Sequence, residues 1–129
     1  MSLGGVVAVF GGAGFGALLR WALGGWLNPV WPYLALGTVA ANLLGGLLVG
    51  LAIAFFEHYT AVAPEWRLLA ITGFLGGLTT FSTFSAEVVQ LIARHEHVWA
   101  LATAGVHLLG SLALTAIGLV LANALLNRL

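Results

Sequence analysis

The residues with the most chemistry to offer run from Gly73 to Ser85, reading Gly-Phe-Leu-Gly-Gly-Leu-Thr-Thr-Phe-Ser-Thr-Phe-Ser. Gly76 and Gly77 loosen a helix, Thr79, Thr80, Ser82 and Thr83 supply hydroxyls, and Phe81 and Phe84 stand among them. Aromatic ring edges carry partial positive charge, so an inward pair of phenyl edges can meet an anion without a formal positive charge. Carbonyls released from a helix around Gly76 and Thr79 would point their negative ends at a cation. On these residues alone both chemistries stand open. Simple packing is the plain alternative for the two rings.

A second set lies further along the chain. Thr103, His107, Ser111 and Thr115 recur at i+4 steps, with Asn123 and Asn127 continuing after Leu119. On a helix they form a polar stripe about 18 Å long at about 1.5 Å per residue. An aligned row suggests a track for a small polar species, whereas an isolated Ser or Thr often bonds only its own backbone. Asn42 shares a helix face with Gly46 and Gly50. Its amide can donate to an anion or join two helices, and the glycines read as a packing seam. Arg20 lies inside an apolar run and needs a partner, an aqueous vestibule or a reach to the interface.

These residues need elements that cross a membrane. The chain has 129 residues, 61% hydrophobic and 6% charged, with mean hydropathy +1.09. Soluble domains carry about a quarter charged residues, so this composition reads as an all-α integral membrane protein. Four apolar segments run from about Leu3 to Leu27, Leu34 to Phe56, Trp66 to Ile92 and Val98 to Leu126. Each reaches the roughly 20 residues that span a bilayer. One four-helix transmembrane domain, residues 1–129, follows, its third helix broken mid-membrane. The first segment has no basic stretch before it and reads as a retained helix. Trp21, Trp26, Trp31, Trp66 and Trp99 fall near segment ends, as an aromatic belt requires.

Composition also excludes. There is no lysine, aspartate or cysteine, hence no thiol chemistry and no basic patch for nucleic acid. Gly12, Gly14 and Ala17 match a dinucleotide fingerprint in form only, since no acidic residue precedes Glu57 and no strand–helix alternation follows. No nucleophile–base–orienter set or metal cluster supports an enzyme. Arg67 and Arg128 fall on the side of the termini and Arg20 and Arg94 on the other, so the positive-inside bias is balanced. A chain without preference inserts both ways, which permits antiparallel homodimers. If Arg20 is not counted, or lipid and insertion machinery decide, a single orientation remains open.

At these residues the chain resembles the CrcB/Fluc family of bacterial fluoride channels. The resemblance spans Gly11-Gly12 through Arg20-Trp21, Gly37 to Asn42, Gly73 to Ser85 with Glu87, and Gly110-Ser111 with Thr115. It implies a dual-topology homodimer in the inner membrane, with two antiparallel pores for passive fluoride efflux that limits cytoplasmic toxicity. It assigns Phe81, Phe84, Asn42, Ser111, Thr115 and His107 to the fluoride pore. The backbone carbonyls of Gly76 and Thr79 are assigned to a central structural Na+, and Arg20 and Glu87 to a vestibule or structural role. Some relatives line the upper fourth helix with a tyrosine, which this segment lacks, leaving Thr103 or His107 at the mouth.

Two transport alternatives differ in mechanism. A small multidrug-type exporter uses a membrane glutamate in its first helix, and none exists here before Glu57. A fluoride–proton antiporter would respond to an imposed pH gradient. A packing subunit without transport would tolerate replacement of Ser111 and Phe81.

Overall fold

The computed structural model describes residues 1–129, and all of its regular structure is helical. Helix α1 covers Leu3–Leu27 and begins at Ser2, whose hydroxyl accepts from the Gly5 N–H at 3.0 Å. Pro29 then ends the run in a short 3-10 turn, Asn28–Val30. Asn28 serves the next helix, because its Oδ1 accepts from the Gly37 N–H at 2.7 Å at the start of α2, Leu36–His58. Pro64 opens α3, residues 64–78, with its fixed φ suited to a first helical position. After three residues outside helical structure come α4, Ser82–Ala93, and α5, which runs through His97–Leu126. The reversal between them places His95 at φ 60°, the left-handed region.

Four spans are long and apolar enough to cross a membrane, with mean hydropathies of 1.7, 2.2, 1.3 and 2.0 in chain order. The third combines α3 and α4. Two wide-turned stretches were not legible in the sequence: Leu68–Leu75 in α3 and Val106–Gly110 in α5 follow π-helical geometry. Such segments shift the phase of the side chains that follow and frequently occur at functional sites.

The helices pack chiefly as two pairs, α1 with α3 and α2 with the second half of α5. Glycine allows both. A Cβ on Gly16 would strike the Phe74 carbonyl of α3, and one on Gly50 would strike the Thr115 carbonyl of α5. Backbones therefore touch directly, which suits bilayer association driven by close packing. Only 21 of the 129 residues are buried, so most apolar side chains, including Phe10, Phe15, Leu109 and Val120, point outward.

Candidate functional site

The stretch between α3 and α4 is where the backbone ladder fails. Helical geometry stops at Leu78, and Thr79 is extended at φ −83°, ψ 154°. In a continuous helix the Thr80 N–H would reach back to the Gly76 carbonyl. It donates instead to Asn42 Oδ1 at 2.7 Å. Asn42 Nδ2 returns a bond to the Thr80 carbonyl at 2.9 Å, so one amide side chain takes both backbone groups of Thr80. The Thr83 N–H, which would serve the Thr79 carbonyl, goes to Thr80 Oγ1 at 3.1 Å. The Gly77 carbonyl accepts from Arg20 Nε at 3.0 Å. Side chains on α1, α2 and the break itself thus divert the donors. Across the break the carbonyls of Gly76, Leu78 and Thr79 accept no hydrogen bond. Neutral oxygens of this kind are the donor set that a hard cation takes, so these residues fit Na+.

Beside the break lies a cavity of about 410 Å³. Asn42, Thr79, Thr80, Phe84, His107 and Ser111 contribute to its wall, and no Arg, Lys, Asp or Glu does. Phe81 lines it too, although most of that ring is exposed on the single chain. The Phe81 and Phe84 rings meet edge to face with centroids 5.6 Å apart, and Phe84 lies 4.7 Å from the His107 ring. His107 Nδ1 is 2.9 Å from Asn42 Nδ2, and both side chains are buried.

The fourth-span stripe divides in two. Thr103 and His107 are buried, each with a polar atom lacking a partner. Ser111 and Thr115 are half-buried and turn their hydroxyls to their own helix: Ser111 Oγ to the His107 carbonyl, and Thr115 Oγ1 to the Ser111 carbonyl at 2.9 Å. Thr115 also donates to the Gly46 carbonyl at 2.9 Å, which ties α5 to α2. Ser111 lines the cavity whereas Thr115 lies outside it.

Glu87 faces a second, smaller cavity of about 180 Å³, shared with Thr103, Arg94, Asn28 and Tyr33. Thr38 Oγ1 donates to Glu87 Oε1 at 2.6 Å. Thr38 is the functional-site neighbour that residue patterns did not single out, although a hydroxyl at the start of an apolar helix was its available signal. Arg20 belongs to neither cavity.

Four apolar spans, of which the second, third and fourth wall a cavity without formal charge, define a multi-pass membrane protein. The profile of the family described as CrcB-like protein, Camphor Resistance (CrcB), matches residues 7–119, and the chain belongs to that family. Relatives named fluoride-specific ion channel FluC include one from Burkholderia cenocepacia, 56% identical over 92% of this chain and 93% of its own. Those from Burkholderia mallei and Burkholderia ambifaria are 54% identical over the same shares. These relatives are channels by name, not enzymes.

Proposed function

We propose that the chain forms a fluoride-selective channel giving passive efflux of fluoride across the cell membrane, which lowers cytoplasmic fluoride toxicity. The observation that carries this reading is the 410 Å³ cavity at the helix interruption, a largely apolar wall in which hydroxyls, an imidazole and two phenyl rings stand without a formal charge. Fluoride holds water strongly, and a pore must replace that hydration without trapping the ion. An arginine in the cavity would hold the anion too firmly, and Arg20 is committed to the Gly77 carbonyl. Phe81, Phe84 and His107 supply weakly positive groups instead, with the Ser111 hydroxyl, bonded to its own helix, beside them. Asn42 and Thr115 support that wall from α2 and α5. Glu87, with Thr38, lines the vestibule.

The active unit is an antiparallel homodimer with one pore per copy and the helix interruption at membrane depth. Balanced arginines support insertion both ways. The Gly76 and Thr79 carbonyls of each copy would hold one structural Na+, which supplies positive potential and joins the interrupted helices. Purified protein in liposomes, followed with fluoride and chloride electrodes, tests the proposal. Fluoride efflux should be fast, chloride efflux negligible, and Phe81→Ile or Phe84→Ile should suppress the fluoride signal. Equal chloride leakage, or flux indifferent to both substitutions, would overturn the reading.

A further inference from the structure

The reversal between α4 and α5 is closed by two backbone bonds. The Glu96 N–H donates to the Leu91 carbonyl and the His95 N–H to the Ile92 carbonyl, each at 2.9 Å. A helix that ends with this pair of bonds puts the residue after its cap in the left-handed conformation, and that residue is usually glycine. Here it is His95, the one non-glycine residue of the chain with a positive φ, 60°. A side chain there carries a conformational cost, and an outlier held in place by its surroundings points toward function. Past Glu96, His97 opens α5, and the Ala100 N–H fixes that first turn by donating to the Glu96 carbonyl at 3.0 Å. Two imidazoles thus stand on backbone pinned from both sides. Both are exposed, and their ring centroids lie 6.0 Å apart. His107 is the one histidine whose ring is hydrogen-bonded within the chain, so the ring nitrogens of this pair are free.

An ion about 2.0–2.1 Å from an imidazole nitrogen lies about 3.2 Å from the ring centre, so two rings sharing it have centres about 5.2 Å apart at a tetrahedral angle and about 6.4 Å at most. The observed 6.0 Å falls inside that range, and a small side-chain rotation reaches the tetrahedral value. We propose that His95 and His97 form a binding site for a divalent transition-metal ion, Zn2+, Ni2+ or Cu2+, on the turn that joins the last two helices. Imidazole suits these ions, whereas Mg2+ and Ca2+ take oxygen. No third histidine or acidic side chain completes the set, so water fills the remaining positions and the ion is exchangeable. Bound there, it would join the end of α4 to the start of α5. Those helices carry Glu87 and Thr103, both in the wall of the 180 Å³ cavity, so the ion stiffens the joint between them. The site stands whether or not the chain conducts fluoride.

The test titrates the untagged full chain in detergent micelles with zinc or nickel chloride by calorimetry, and with copper chloride by electron paramagnetic resonance. One site per chain is expected, with two imidazole nitrogens in the copper spectrum and no heat from magnesium chloride at the same concentrations. His95→Asn keeps a residue that tolerates the left-handed conformation. It and His97→Gln should each weaken binding by at least about tenfold, the loss that even a residue supporting a metal ligand brings. His58→Gln, at the end of α2, should leave binding unchanged. His95→Gly should fold without metal at least as well as wild type, because glycine suits this φ, yet lose the site. In SDS titration Zn2+ should raise the unfolding midpoint of wild type and leave that of His95→Gly where it is. Copper held by one imidazole or none, affinity unchanged in either His95→Asn or His97→Gln, or equal binding of Mg2+ would overturn the proposal. So would affinity lost with His58→Gln, or the same Zn2+ shift in His95→Gly.

Discussion

Removing Asn42 should weaken the protein by an amount set by the bonds it makes. Asn42→Ala deletes three hydrogen bonds, to the Thr80 N–H, the Thr80 carbonyl and His107 Nδ1. Interhelical side-chain bonds in membranes contribute about 0.6 kcal/mol on average and about 1.7 at most, so the sum is about 2–5 kcal/mol. Thr80 borders the 410 Å³ cavity, so water there can take up part of the freed groups, which recovers part of the loss. The expected change is therefore about 2 kcal/mol, toward the lower end. Asn42→Asp should be no milder, because it keeps an acceptor for the Thr80 N–H but loses both donors. It also sets a negative charge against the Thr80 carbonyl. Unfolding in mixed micelles by SDS titration, read from the fluorescence of the five tryptophans, measures both variants. A loss below about 0.5 kcal/mol for Asn42→Ala, under the average for even one such bond, would refute the clamp. So would an Asn42→Asp protein as stable as wild type.

Three other outcomes follow from the same packing. Gly50→Leu places carbon against the Thr115 carbonyl and should cost about 3 kcal/mol or more, seen as loss of a monodisperse elution peak. Gly14→Ala, with nothing within 4 Å of the added carbon, should be neutral or stabilise by up to about 1 kcal/mol in the same assay. Arg20→Gln removes the bond to the Gly77 carbonyl and should destabilise by about 1.5–3 kcal/mol in SDS titration, the range for charged donors. Replacing sodium with N-methylglucamine should lower fluoride flux and dimer stability together in liposome and glutaraldehyde cross-linking assays. Unchanged values in both would remove Na+ from the proposed function.

Much of the architecture was legible because membrane insertion is written locally. Twenty or so apolar residues between breakers suffice to mark a span, and Asn28-Pro29, Pro64 and the loop around His95 separate the four. The Gly46–Gly50 seam was legible for a similar reason, since small residues four apart share a helix face. The fourth-span stripe was legible as a row but not as a set of partners. Its spacing treats Ser111 and Thr115 like His107, yet Ser111 bonds only backward to its own helix, Thr115 bonds both there and to the Gly46 carbonyl of α2, and His107 bonds across to the Asn42 side chain. A short hydroxyl side chain can fold back one turn; an imidazole cannot follow it there and must find a neighbour.

By itself the sequence determined a membrane chain with four helical crossings, because hydropathy sums over neighbours along the chain and needs no knowledge of contacts. It also marked the glycine–threonine–phenylalanine run as the place where a helix is weakest. Tertiary structure alone decided which carbonyls there lose their hydrogens. The diverting groups, Asn42 and Arg20, stand 38 and 57 residues away from the backbone atoms they bind. Their geometry exists only once α1 and α2 have packed against the interruption.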